Sequence, residues 1–554
     1  MDWQPSAEII DLVRNLALQN ALQYEGEGQV GSVMGRIMGT RADLRNQAKQ
    51  LSGLISSEVN TANSLAKSEG LDHIRELLAQ SAPEMLEKKE HVRREGLPEL
   101  PGDHKGVVLR FAPNPNGPLS FGHSRGLVVN STYAKQLSGK LILRFDDTDT
   151  TVKPPLVSAY DTIAKEVEWL CGFPADKIII ASDRMEFYHQ FAEQALNEGF
   201  AYVCTCTAEA FREFRVGKTC CPCREREAEE NIQHWQEMNS EDGYQPGQAV
   251  VRIKTDMTLP NPALRDWPAL RIQTNPHPRI GNVWRVWPLL DFQSAVEDHL
   301  QNVTHIIRGK DLMDSTRKQK LLYEHFAWQY PETIYWGRVK VHEFGGFSTS
   351  QMRKDIEEGI YSGWDDPRLP TLSTLARRGI KPEALRNFWI EIGLSQKDIA
   401  VPLATLYSHN TSMIDATAPR LAFVRNPIRI ELKGEIDSEI MIRSHPTEEL
   451  GERKINLDGV VYIETEDHGD VRLKDLCDIS SNGTITSIDR SDSRPIVHWV
   501  ANGKENRLSI PEGKELRVEE GLLESHPHPI GTIVQLERIG YAIIEEDGLL
   551  LVHE

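Results

Sequence analysis

The sequence predicts a multidomain protein of α/β and all-β parts: a doubly wound parallel sheet, preceded by helices and followed by antiparallel β-barrels. Three patterns carry this expectation. From residue 107 to 200 the apolar runs VVLRF, LILRF and KIIIAS alternate with helical periodicity, as parallel strands joined by crossover helices do. Up to residue 99 the apolar positions keep helical spacing, first at Ile9, Leu12, Val13 and Leu16, then at Leu71, Ile74 and Leu78. Beyond Pro419 short runs such as VVYIE, TITSID, LRVEE, YAIIEE and GLLLV are separated by Gly, Asp, Asn and Ser, which implies one or two antiparallel barrels.

Composition bounds the rest. A chain of 554 residues is long enough for three or four domains. With 39% hydrophobic and 26% charged residues it reads as an ordinary soluble globular protein, and no apolar run approaches the roughly 20 residues of a membrane helix. The opening MDWQPSAEII lacks the basic and apolar regions of a signal peptide, so a cytoplasmic location is the default expectation. A net charge of −19 argues against bulk electrostatic binding of nucleic acid, yet residues 305–354 hold nine Lys or Arg against five Asp or Glu. Charge leaves the partner undecided.

In chain order, residues 1–100 form the helical region. Its glycine-interrupted stretch with Arg36, Arg41, Arg45 and Lys49 is either a polyanion contact or a solvated helix face. A charged run turning Pro- and Gly-rich marks a boundary near Pro101. Residues 107–136 then organise the chain: a strand, a loop with two prolines, two asparagines and Gly117, and a helix entered at Gly122 and His123. Such a layout aims backbone N–H groups and a helix dipole at an anion, with an imidazole at the entrance. It reads as a nucleotide phosphate site, although alone it could be an ordinary βα turn. LILRF leads into the acidic turn DDTDTT, where Asp146, Asp147 and Asp149 sit at a strand's carboxyl end, either as ligand groups or as a helix cap.

At residue 201 the alternation stops. Cys204, Cys206, Cys221 and Cys223 make two C-x-C pairs about fifteen residues apart, which suit a tetrahedral structural zinc, with Cys220 as an alternative ligand. VVRIK, LRIQT and VWRVW read as strands of an inserted module over 201–285. The sheet pattern resumes over 286–345 with HIIRG, a helix over 312–330 and the strand IYWGRVKV. GGFSTSQMRKDIEEG reads as a polar loop, able to close over phosphates or simply mobile at the surface. Helices return over 367–406.

Taken together, the chain resembles a class I glutamyl-tRNA synthetase of the archaeal type, over nearly its whole length. RFAPNPNGPLSFGH is similar to the family's HIGH region and FSTSQMRK takes the place of its KMSKS loop; RFDDTD, DFQSAVEDHLQNVTHIIRGKDL and GWDDPRLPTLSTLARRGIKPEALRNFW are close to family blocks. The resemblance implies a Rossmann-type catalytic sheet in two parts (101–200 and 286–345), a zinc-bearing module for the tRNA acceptor end, a loop and stem-contact region (346–417), and anticodon-binding barrels (418–554). It implies ATP, Mg2+ and structural Zn2+, with L-glutamate and tRNA(Glu) as partners in a monomer. The archaeal branch leans toward the relaxed type that also charges tRNA(Gln). Carried over by motif, ATP falls to Pro113, Gly117, Pro118, Ser120, Gly122, His123, Ser348, Ser350 and Gln351. Glutamate falls to Arg110, Ala112, Asn114, Asp146 and Arg308. Catalysis falls to His123, Ser350, Arg353 and Lys354.

Two departures stand out. Ser120 replaces the first histidine of HIGH, and Gln351 replaces the catalytic lysine of KMSKS. A single donor in a preorganised site is worth about 100- to 1,000-fold in rate, so these positions motivate a competing reading as a weakly active or non-catalytic tRNA-binding relative. Leu290 stands where relatives often carry tyrosine. A glutaminyl enzyme is the other alternative, disfavoured because APNP and DTD look like the glutamate branch.

Overall fold

The computed structural model describes residues 4–86, 96–341, 343, 346–490 and 493–554. The chain divides into two compact units, Met1–Arg94 and Glu95–Glu554. In the first, helices α1 (Ala7–Gln23), α2 (Val30–Thr40), α3 (Ala48–Glu69) and α4 (Leu71–Ser81) share one apolar core built from Val13, Ile37, Leu51, Ile55, Ile74 and Leu78. Ser6 caps α1 by accepting from Ile9 N. Of the glycines that interrupt the sequence pattern, Gly31 and Gly35 lie inside α2 and face open space, while Gly28 precedes it. Arg41 pairs with Asp43 (2.9 Å) and Glu8 (3.4 Å), and the Arg45 side chain lies outside the described residues.

The second unit begins with three parallel strands, β1 (Val108–Phe111), β2 (Lys140–Phe145) and β3 (Lys177–Ile180), linked by helices α5 (Phe121–Gln136) and α6 (Val157–Cys171). Most of their apolar residues are buried, as β-branched and leucine runs in parallel sheets require: Leu109, Leu141, Leu143 and, on the helices, Leu127, Val129 and Ile163 are closed off from solvent, whereas Ile178 on β3 is exposed. After α7 (Met185–Asn197) comes an antiparallel sheet of β4 (Ala201–Cys204), β5 (Val250–Ile253), β6 (Pro268–Ile272) and β7 (Val286–Pro288), with α8 (Ala208–Gly217) and α9 (Ala228–Asn239) between its first two strands. The chain then returns through α10 (Leu290–Leu300) to the parallel pair β8 (His305–Gly309) and β9 (Glu332–Trp336), joined by α11 (Met313–His325). Thr304 N bonds Val108 O at 3.0 Å, which sets the two parallel ladders edge to edge in the order β9, β8, β1, β2, β3. Strand order reverses between β1 and β8, and at such a switch point the carboxyl ends of the strands open a crevice.

Three local expectations are corrected. The helix expected to reach residue 330 ends at His325, because Ala327 takes a positive φ and Trp328 stacks on Phe326 and His299. IYWGRVKV is two strands, β9 and β10 (Val339–Val341), broken at Gly337, where a Cβ would lie 2.2 Å from the Lys397 carbonyl. Within the expected polar loop GGFSTSQMRKDIEEG, whose first residue lies outside the described residues, Thr349–Glu357 form a helix, α12, capped by Ser348 and anchored by buried Met352 against Tyr361 and Leu369.

C-terminal to the helices, a seven-stranded sheet runs in the order Arg420–Leu421, Ile533–Leu536, Gly540–Glu545, Gly548–His553, Lys504–Glu512, Glu515–Leu523, Phe423–Arg425. Between Arg425 and Lys504 the chain leaves it to build a second β region with its own core of Ile430, Val461, Ile463, Leu473 and Trp499. Among the described residues no helix is long and apolar enough to cross a membrane.

Candidate active site

The loop between β1 and α5 is fixed from several sides. Asp146 N bonds Pro113 O (3.1 Å), Leu372 N bonds Leu119 O (2.8 Å) and Phe121 N bonds Pro370 O (2.8 Å). Gly117 is required by close approach: a Cβ there would meet Thr349 Cγ2 at 2.8 Å and Trp364 Cη2 at 3.0 Å. This contact brings together the two sequence-predicted nucleotide segments, since Thr349 opens α12. Pro113 and Pro118 are buried in the loop, whereas Gly122 is exposed on the first turn of α5.

Ser120 and His123 form a capping box. The Ser120 side chain accepts from His123 N (3.4 Å), and His123 Nδ1 accepts from Ser120 N (3.1 Å). A backbone donor on Nδ1 leaves Nε2 to carry the proton, so the neutral ring keeps a donor on its other edge. His123 is exposed by surface area, yet the protein packed around it lowers its pKa, with desolvation the main cause and the Lys153 charge second. Ser120 thus orients the imidazole of His123.

At the carboxyl ends of β1, β2 and β8 lies a buried charge cluster. Arg144 donates to Asp146 (Nε–Oδ1, 2.7 Å) and to Asp298 (Nη1–Oδ1, 2.7 Å), and Arg110 Nε reaches the same Asp298 oxygen at 3.2 Å. Ser294 and Gln293 close the network through Arg144 Nη2 (2.7 Å) and Asp146 Oδ1 (2.8 Å). Arg308 donates to Gln319 (2.9 Å) and Tyr330 (3.4 Å). Burial opposes the Asp298 charge, but Arg110, Arg144 and Arg308 outweigh it and hold the carboxyl below its usual range. Burial, and then the repulsion of Arg308 and Arg144, lower the Arg110 pKa despite Asp298. Three guanidinium groups face Asp146 and Asp298 here, and the other carboxylate acting on Arg144, the buried Glu297, is paired with Arg184 (2.6 Å), which leaves an excess of one positive charge. Among the described residues Arg308 Nε is buried without a hydrogen-bond partner, and Arg110 spends only Nε on the protein. Such unspent donors at a switch-point crevice fit a carboxylate.

Of the residues expected on glutamate, Arg110, Asp146 and Arg308 come together in this cluster. Asn114 is tied below it, donating to Asp146 O (3.1 Å), and Ala112 lies half-buried just past β1. Sequence reasoning missed Arg144, Asp298, Gln293 and Ser294. A charged residue inside the otherwise apolar LILRF strand was the one available signal. The acidic turn separates into three roles. Asp146 belongs to the cluster; Asp147 is a fully buried acceptor for Tyr160 (2.6 Å) and Ser182 N (2.7 Å); Asp149 accepts from Thr151 N (2.9 Å) and Val152 N (3.0 Å) as a turn cap.

The α12 side is different. Ser348 caps the helix by accepting from Gln351 N (3.3 Å), and Ser350 is exposed on its first turn. Gln351 donates to Asp355 (2.6 Å), Arg353 to Glu357 (3.0 Å), and Lys354 pairs with Glu358 (3.5 Å). Arg353 and Lys354, expected to take part in catalysis, are therefore directed along their own helix.

In the inserted module Cys204, Cys206, Cys221 and Cys223 place their Sγ atoms within 4.8 Å of one another, with Cys204–Cys221 at 3.9 Å and Cys206–Cys223 at 3.7 Å. A tetrahedral site with Zn–S bonds of about 2.3 Å has an edge of about 3.8 Å, so the four thiols fit. All seven cysteines are free, and Cys220 is exposed outside the group.

Comparison with known proteins bears on this arrangement. A family model described as the catalytic domain of class I tRNA synthetases (E and Q) matches residues 106–416, and one for their anti-codon binding domain matches residues 418–500. The chain belongs to the class I tRNA synthetases of the glutamate and glutamine group. Members of this group with similar sequences include proteins named glutamate--tRNA ligase from Methanothrix thermoacetophila (42% identity, covering 98% of each chain) and Thermococcus kodakarensis (43%, covering 97% of each). Another, from Methanosarcina mazei, is 42% identical over 98% of this chain and 97% of its own. The class I synthetase match agrees with the α/β sheet and the appended β regions.

Proposed function

We infer that this chain ligates L-glutamate to tRNA(Glu). In the first step an oxygen of the glutamate α-carboxylate attacks the α-phosphorus of ATP, and pyrophosphate leaves. In the second, a hydroxyl of the tRNA's terminal adenosine attacks the activated carbonyl and AMP leaves. The observation that carries the reading is the buried excess of guanidinium over carboxylate at the β1/β8 crevice. Arg110 and Arg308 hold the side-chain carboxylate of glutamate as charge-assisted donors, and Asp146 accepts from its ammonium group. Glutamine would offer these arginines a neutral amide in place of a charge.

On the nucleotide side His123, held as the Nε2–H tautomer, donates to a phosphate oxygen. The exposed N–H groups of the first turn of α5, at Gly122, add the helix dipole. Gly117 and Pro118 shape the approach. Ser348, Ser350 and Gln351 line the other side through the first turn of α12. Little covalent help is required, because positioning and charge stabilisation govern such a transfer. ATP is expected with Mg2+, whose part is to neutralise phosphate charge. The four cysteines would hold a structural zinc with no open position, fixing the module that faces the tRNA end.

The direct test is AMP formation by purified protein with ATP, glutamate and tRNA(Glu). Release of AMP that requires both glutamate and tRNA is expected; no charging of tRNA(Glu) or tRNA(Gln) would defeat the reading in favour of a non-catalytic relative. Metal analysis of protein purified without chelators should find close to one zinc per chain, and its absence would reduce the cysteines to packing.

A further inference from the structure

We propose that Glu166, on α6, is a positioning residue for the nucleotide loop. It uses both carboxylate oxygens to join two segments of the site. Oε2 accepts from Leu119 N at 2.7 Å, and Oε1 accepts from the Ser373 hydroxyl at 2.8 Å. Leu119 is the residue before the Ser120–His123 capping box, and Ser373 lies in the helix Leu372–Arg377 that follows α12. The same junction is closed by Leu372 N to Leu119 O (2.8 Å), Phe121 N to Pro370 O (2.8 Å) and the antiparallel bridge between Ser120 and Thr371. Glu166 stands behind that bridge as the shared acceptor.

A residue retained only for packing would not be chosen this way. Glu166 is 6% exposed and makes no ion pair among the described residues. Burying a carboxylate without a cation is expensive, and its pKa is pushed up to about 7 by desolvation despite the two donors. An apolar side chain would fill the volume at less cost but would leave Leu119 N buried and unsatisfied. What the carboxylate supplies is a strong fixed acceptor exactly one residue before the cap that orients His123. The amino-acid cluster is held by a separate network through Arg144 and Asp298, with no bond to Glu166. Loss of Glu166 should therefore disturb ATP and spare glutamate.

This inference rests on the ATP reading of the site, and the test separates the two. Glutamate-dependent pyrophosphate exchange, with tRNA present, is measured for the full chain and for E166A, E166Q and S373A, with KM for each substrate. For E166A the ATP KM should rise about tenfold or more while the glutamate KM stays within about twofold. E166Q retains an acceptor for Leu119 N and should recover to within about threefold of wild type; S373A removes only the outer bond and should raise the ATP KM by about threefold. S373A keeps the test decisive if E166A does not fold. An unchanged ATP KM in folded E166A or S373A, or equal rises for ATP and glutamate, would overturn the role of Glu166. Wild-type protein without exchange would instead sink the ATP reading itself.

Discussion

Residues 112–123 and residues 348–358 meet at Gly117, yet they are held in place by different means. The first stretch is fixed by partners from elsewhere in the fold: Pro370, Leu372, Asp146 and Glu166 all bond it, and its histidine is oriented by a capping box. The second is a helix whose polar side chains bond residues four positions along the same helix or just beyond it, at Asp355, Glu357 and Glu358. One half of the site is preorganised by long-range hydrogen bonds, whereas among the described residues the polar side chains of the other bond locally. Preorganised donors cost no rearrangement when charge develops, so the fixed half should carry most of the measurable effect.

Substitutions can break that contrast, beginning with the largest effect. Arg110→Ala removes a carboxylate donor and leaves Asp298 with one partner fewer; kcat/KM for glutamate should fall about 1,000-fold, in line with losing one partner of a buried charge pair. Steady-state kinetics on protein of verified fold checks this, and a loss below about tenfold would remove Arg110 from the glutamate site. His123→Ala should lower kcat/KM for ATP about 100-fold, the effect of one preorganised donor. Ser120→Ala keeps the imidazole but loses its cap; a stability loss of about 1 kcal/mol and a smaller kinetic effect than at His123 are expected from denaturant titrations and kinetics on one preparation.

Glu166 offers a test by stability. Folded, its carboxyl holds the proton up to about pH 7, whereas an unfolded one releases it near 4.5. The folded state thus binds the extra proton between these values, and stability falls as pH rises through that window. E166Q removes this term. Relative to wild type it should gain stability between pH 5 and pH 8 by up to about 3 kcal/mol. Thermal melts at both values decide it; a difference between the two proteins that does not change with pH would show that the buried carboxyl is not titrating. At the small end, Arg353→Ala and Lys354→Ala should each change kcat by less than about threefold, since their surface pairs are worth little. A loss of 30-fold or more would mean that α12 turns these cations inward when ATP binds, and the contrast between the two halves would no longer hold.

Much of this arrangement was legible in the chain because it is local. Strand, proline-rich loop and helix at 107–136 are written in residues whose backbone preferences leave few choices. The cysteine spacing likewise needed only the short excursion through α8 to bring four sulfurs together. The charge cluster was not legible in full. Arg144, on β2, and Asp298, on α10, are 154 residues apart, and only the tertiary fold puts them in contact. For the same reason the three aspartates of DDTDTT looked equivalent, although one joins the cluster, one is a buried acceptor and one caps a turn. The α12 segment misled in the other direction: glycines and polar residues suggested a loop, while a serine cap, a buried methionine and spaced acid–base pairs made a helix.

The central claim is that the buried guanidinium excess at Arg110, Arg144 and Arg308 selects an acidic amino acid. It is tested most directly by comparing kcat/KM for glutamate and for glutamine with the same enzyme and the same tRNA(Glu). A buried carboxylate partner exchanged for an amide should separate them by at least about 100-fold in favour of glutamate. Equal use of the two amino acids, or a preference for glutamine, would contradict it.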